Sequence, residues 1–145
     1  MSTTIVGCNT RKYHGLMVAP IDQSDRTYVL LSSLDETLIQ HDQAFNLALH
    51  RYDGVYEPRG HKYITDFEYT PTPTITYRVG GAILRKELLW IHKRTQLMIR
   101  YTLVDAHSET TLRLRPLLAF RDKHALSKAN MEAETSQLLA TLLTI

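Results

Sequence analysis

The chain has 145 residues, 43% of them hydrophobic and 22% charged, so one domain with its own core is expected rather than disorder. Lysine and arginine number 17 against 15 acidic residues, a net charge of +2 without the clustered basic excess of a nucleic-acid binder. No apolar run approaches the roughly 20 residues of a bilayer span, so neither a membrane nor a nucleic-acid partner is expected.

The single cysteine, Cys8, excludes an internal disulfide framework and a cysteine-rich zinc module. Residues 1–7 have no basic start and no long apolar stretch, so they are not read as a secretory signal. A reducing, cytoplasmic setting is the expectation. The seven histidines are dispersed without a His-Glu-x-x-His or His-x-His spacing, so no sequence-local metal site is expected.

In chain order, the first strand candidate is Gly15 to Ala19. A polar connection, Pro20 to Asp25, leads to candidates Thr27 to Leu34 and Thr37 to His41. The stretch from His50 to Tyr63 is rich in turn formers (Asp53-Gly54, Pro58-Arg59-Gly60) and reads as a loop, functional or merely solvated. Tyr63 to Tyr69 and Thr74 to Val79 follow as strands, the latter with Ile75, Tyr77 and Val79 on one face. Gly80-Gly81 is the signature of a tight primed hairpin turn into Ile83 to His92. That run carries apolar residues at both parities, so a strand covered on both faces is expected. Leu97, Ile99, Tyr101 and Leu103 alternate with polar neighbours, as do Leu112 and Leu114 after a connection at Asp105 to Thr110. Near the end, Leu138, Leu139, Leu142 and Leu143 sit at helical spacing. A short C-terminal helix is the expectation there, with a last strand as the alternative. The class is therefore all-β, an antiparallel sandwich in a single unit spanning residues 1–145.

Three polar clusters could carry chemistry. Arg11, Tyr13 and His14 combine a guanidinium fork with planar rings, a pairing suited to the hydroxyls and apolar face of a sugar. The plainer reading is a polar surface turn. Arg121, Asp122 and His124 form a second cluster, which equally suits an ion pair at a strand end. The third is the aromatic and basic stretch from His50 to Tyr63. A glycosidase needs two carboxylates across the scissile bond. Among Asp35, Glu36, Asp53, Glu57, Asp66 and Glu68 no spacing singles out a pair, and adjacent Asp35 and Glu36 would face opposite ways on a strand. No Gly-x-Ser-x-Gly elbow, phosphate loop or dinucleotide fingerprint occurs.

The run Asn9-Thr10-Arg11-Lys12-Tyr13-His14-Gly15-Leu16-Met17-Val18 resembles the N-terminal domain of bacterial and archaeal glycogen debranching enzymes, the amylo-α-1,6-glucosidases. Further stretches support the resemblance in order: Leu30 to Thr37, Arg51-Tyr52 with Pro58 to Tyr63, Thr76 to Gly81, and Leu114 to His124 running to Asn130. The resemblance implies a large antiparallel β-sandwich of the kind that precedes a helical (α/α) catalytic barrel in glucoamylase-like enzymes. It implies a parent reaction that hydrolyses α-1,6-glucosidic branch points without metal or organic cofactor. The family's catalytic domain lies beyond this stretch, so no catalytic residue is assigned here. The β-domain of the family also extends past both ends of the chain, which then reads as part of a larger sandwich with open edges and a tendency to form homo-oligomers. Implied partners are an α-glucan and the absent catalytic domain. Arg11, Tyr13, His14, Arg121, Asp122 and His124 are the candidate substrate-binding residues. The alternative is a free-standing β-sandwich module for carbohydrate or protein binding, with no enzymatic partner.

Overall fold

A computed structural model describes residues 2–21, 26–91 and 94–126. The chain is all-β. In order the strands are β1 (Met17–Pro20), β2 (Thr27–Gln40), β3 (Gln43–Asn46), β4 (His50–Tyr52) and β5 (Val55–Glu57). A 3-10 turn, Gly60–Tyr63, leads into β6 (Ile64–Glu68), β7 (Thr74–Val79), β8 (Ala82–Ile91), β9 (Gln96–Ala106) and β10 (Thr111–Asp122). The short helix expected around Leu138 to Leu143 lies outside the described residues.

Every pairing among the described strands is antiparallel. One sheet is organised by β2, which pairs along one side with β10 and along the other with β1 and then β3. Another is the meander β6-β7-β8-β9. Strands β4 and β5 form a two-stranded hairpin of their own. Both tight turns flanking the core use the left-handed backbone that matches strand twist: His41 and Asp42 between β2 and β3, Gly80 and Gly81 between β7 and β8. The primed turn expected at Gly80-Gly81 is thus present.

The core lies between the two four-stranded sheets. Leu38 of β2 and Leu47 meet Ile75, Tyr77 and Val79 of β7 and Leu84 of β8. Phe45, Ile64, Phe67, Tyr101 and Leu112 close around them. This is the sandwich arrangement expected from period-two patterning, with one face of each sheet inward.

Three sequence expectations are corrected. Thr27 to Leu34 and Thr37 to His41 are one continuous strand, because Asp35 and Glu36 each find a cationic partner and stay in the ladder. The stretch His50 to Tyr63 is a hairpin and a 3-10 turn, not an open loop. Strand β8 is covered on one face only: Ala82, Leu84, Lys86 and Leu88 are buried, while Arg85 and Leu89 are exposed. Apolar residues on its outer parity lie half-buried or exposed on the open side of the sheet.

Candidate functional site

The segment before β1 is laced onto β2. Ser2 and Gly15 exchange backbone hydrogen bonds of 3.0 and 2.7 Å, and Leu16 N–H donates to Ser32 O at 3.2 Å. Gly15 is required by that proximity: a Cβ there would lie 2.7 Å from Val29 Cγ1 and 3.2 Å from the Leu31 carbonyl. Asn9 Nδ2 donates to Ser32 O at 2.8 Å and to Ser32 Oγ at 3.1 Å. Thr4 Oγ1 donates to Cys8 O at 2.9 Å. Cys8 is 3% exposed, and burial pushes its thiol up from the ordinary value despite Arg51 nearby. It is a packed thiol, not an activated nucleophile.

Arg11 and Tyr13 are exposed on the turn that follows. The turn is closed by His14 N–H donating to Arg11 O at 3.0 Å. Thr10 N–H donates to His14 Nδ1 at 3.2 Å, which places the ring proton on Nε2. Tyr13 meets His14 edge to face at 5.3 Å between centroids.

Arg121 and Asp122 occupy the end of β10, opposite Val29 and Tyr28 of β2. Their side chains serve the local chain. Arg121 donates to Ala125 O at 2.9 Å, and Asp122 Oδ1 accepts from the His124 backbone N–H at 2.8 Å. Asp122 thereby shapes its own turn.

The three polar clusters converge through their neighbours. Asn9 and Thr10 of the first, Arg51, Tyr52, Asp53 and Gly54 of the hairpin tip, and Leu126 just beyond the second line one open cleft of about 930 Å³. None of Arg11, Tyr13, His14, Arg121, Asp122 or His124 lines that cleft. The hairpin stretch, which sequence reading left open, supplies most of the lining. Tyr52 is 60% exposed, and Arg51, Asp53 and Asn9 are among the other residues lining the cleft.

Asp35, on β2, is 2% exposed and lines the space between the sheets together with His50. Its Oδ1 is 2.8 Å from His50 Nε2, and its Oδ2 accepts from Arg115 Nη2 at 2.9 Å. Burial pushes this carboxyl up, but hydrogen bonds from His50 and Arg115 and their charges outweigh it and hold the group below the usual carboxylate range. The neighbouring Glu36, also 2% exposed, points into the sandwich. Its Oε1 receives hydrogen bonds of 2.5 Å from both Lys86 Nζ and the Tyr101 hydroxyl. Burial, reinforced by the Glu36 charge, pushes the Tyr77 and Tyr101 phenols far up, so both stay protonated. The opposite facing expected of Asp35 and Glu36 is present, and each carboxylate is consumed by its own partners.

Lys86, Tyr101 and Arg115 were not singled out by sequence reading. For Lys86 a signal existed: it shares parity with Leu84 and Leu88, so a period-two reading puts a cation on the inward face. Arg115 carried no such mark, since its partner is 80 residues away.

A second cavity, of about 350 Å³, lies between the sheets. Leu16, Leu47, Leu49, Phe67, Ile75 and Leu88 line it together with residues 3–7 and the Asp35 and Glu36 networks. Among the described residues no group of three or more His, Cys, Asp or Glu could hold a metal ion. No described helix is long and apolar enough to cross a membrane.

Against known proteins, the family described as "Glycogen debranching enzyme N terminal" matches residues 1–144. No curated protein and no solved structure matches the chain. Since the match takes in nearly every residue, the chain belongs to the glycogen debranching enzyme N-terminal family.

Proposed function

We propose that this chain is a non-catalytic β-domain of a glycogen-debranching glycoside hydrolase and that its open cleft contacts the α-glucan. The observation that carries this reading is the cleft lining. A cleft lined by an exposed tyrosine, an arginine, an aspartate and an asparagine combines an aromatic ring with donors and acceptors, which is what a glucose unit needs. Arg11 and Tyr13, on the exposed turn after Thr10, would extend that surface. The branch-point chemistry belongs to the enzyme's catalytic domain, the partner proposed for this one. The chain itself is expected to release no glucose, because Asp35 and Glu36 are buried and held by cations.

The test is calorimetric titration of the chain with maltoheptaose, alongside Tyr52→Ala. Binding by the wild-type chain that falls at least about tenfold in the variant supports the reading. Equal affinity for both, or no binding by either, rejects this cleft.

A further inference from the structure

The hairpin β4–β5 carries most of the cleft and is held at its base, where the Arg51 backbone hydrogen-bonds the buried Cys8 thiol and Gly60 N–H donates to Ala48 O at 2.9 Å. It pairs only with itself among the described strands, and every residue from Arg51 to Glu57 is exposed. A lone two-stranded hairpin is marginal in water. Its own side-chain anchor to β2 is His50, at its first position: the side chain is 17% exposed, and its Nε2 is 2.8 Å from the buried Asp35 Oδ1. Asp35 is in turn fixed by Arg115 of β10. The His50 ring lies 6.1 Å from that of Tyr52, two residues on along the same strand, so it is a direct neighbour of the exposed ring of the cleft.

We infer that Asp35 and His50 are positioning residues for the cleft: their contact ties the first strand of the hairpin to β2 and helps hold Tyr52 in place. This rests on the reading of the cleft as a glucan surface. The carboxylate acts through His50 and touches no ligand. Loss of Asp35 need not unfold the chain, because Arg115 is 69% exposed and returns to water rather than being left as a buried charge.

The test uses the full chain with Asp35→Ala, His50→Ala, the double variant and the conservative His50→Gln. Gly80→Ala, at the remote β7–β8 turn, is the control for plain destabilisation. Two readouts are taken: amide exchange across residues 51–57, and maltoheptaose affinity. Both single alanine variants should speed exchange at 51–57 about tenfold while the β7 and β8 amides stay protected. Affinity should fall about tenfold in each, no further in the double variant, and recover in part with His50→Gln. Gly80→Ala should leave both readouts at the hairpin unchanged. Unchanged exchange at 51–57 in Asp35→Ala and His50→Ala overturns the tether whatever the sugar does. Faster exchange with undiminished maltoheptaose affinity overturns the positioning role. Faster exchange in a chain whose wild type binds no maltoheptaose keeps the tether and rejects the glucan reading.

Discussion

Glu36 and Lys86 are 3% and 7% exposed at their side chains, and they join β2 to β8 across the core. Such a pair holds only while both members are present. Lys86→Met leaves the carboxylate buried with the Tyr101 hydroxyl alone. It should cost about 3–5 kcal/mol in urea unfolding, and Glu36→Leu with Lys86→Met should recover much of that loss. Asp35 sets a pH dependence instead. Its carboxyl titrates lower in the folded chain than in the unfolded one, so folding is linked to proton release. The stability it contributes is present above about pH 4 and is lost as pH falls through the folded value. Urea midpoints of wild type and Asp35→Asn should differ by a constant amount near neutrality and converge in acid. A gap that widens below pH 4 would contradict the assignment.

At the level of elements, the turns decide how the sheets meet. Gly60 starts the 3-10 turn, is buried, and donates its N–H to Ala48 O at 2.9 Å. A Cβ there would run into the Leu47 backbone, which cannot yield as a side-chain tip could. Leu47 is itself held by Glu36 O through a 2.9 Å hydrogen bond and is 2% exposed in the core. Gly60→Ala should therefore push the 3-10 turn off the sandwich and lower stability by roughly 1–3 kcal/mol, the usual cost of overpacking. Thermal unfolding of the variant checks this, and an unchanged melting temperature would mean that the turn gives way freely. The Pro58-Arg59-Gly60 motif was legible in the sequence as turn chemistry. That its glycine serves a close approach, and not just a bend, depends on Leu47 arriving from another element.

At the scale of the molecule, β9 and β10 are the outer strands of their sheets among the described residues. They are long, and they expose Met98, Leu103, Val104, Leu118 and Phe120. Pro116, which lacks an N–H, sits in β10, where only an edge strand tolerates it. An open, apolar edge invites pairing with another copy. Light scattering of the purified chain should give a mass above the monomer that falls toward it when Val104 and Phe120 are both replaced by lysine. A monomer at every concentration would reject this.

The sequence by itself determined the all-β class, most strands and the β7–β8 turn, because period-two alternation and paired glycines act over a few residues. It also pointed to the family, through motifs whose glycines at positions 15 and 60 answer to close packing. Only the tertiary structure decided the pairing of Asp35 with His50 and Arg115, of Glu36 with Lys86 and Tyr101, and the gathering of Asn9, Tyr52 and Leu126 around one cleft. The physical reason is range. Alternation says which way a side chain points, but the partner that neutralises a buried charge arrives from whatever strand the sheet topology brings alongside, 50 residues away for Lys86 and 80 for Arg115.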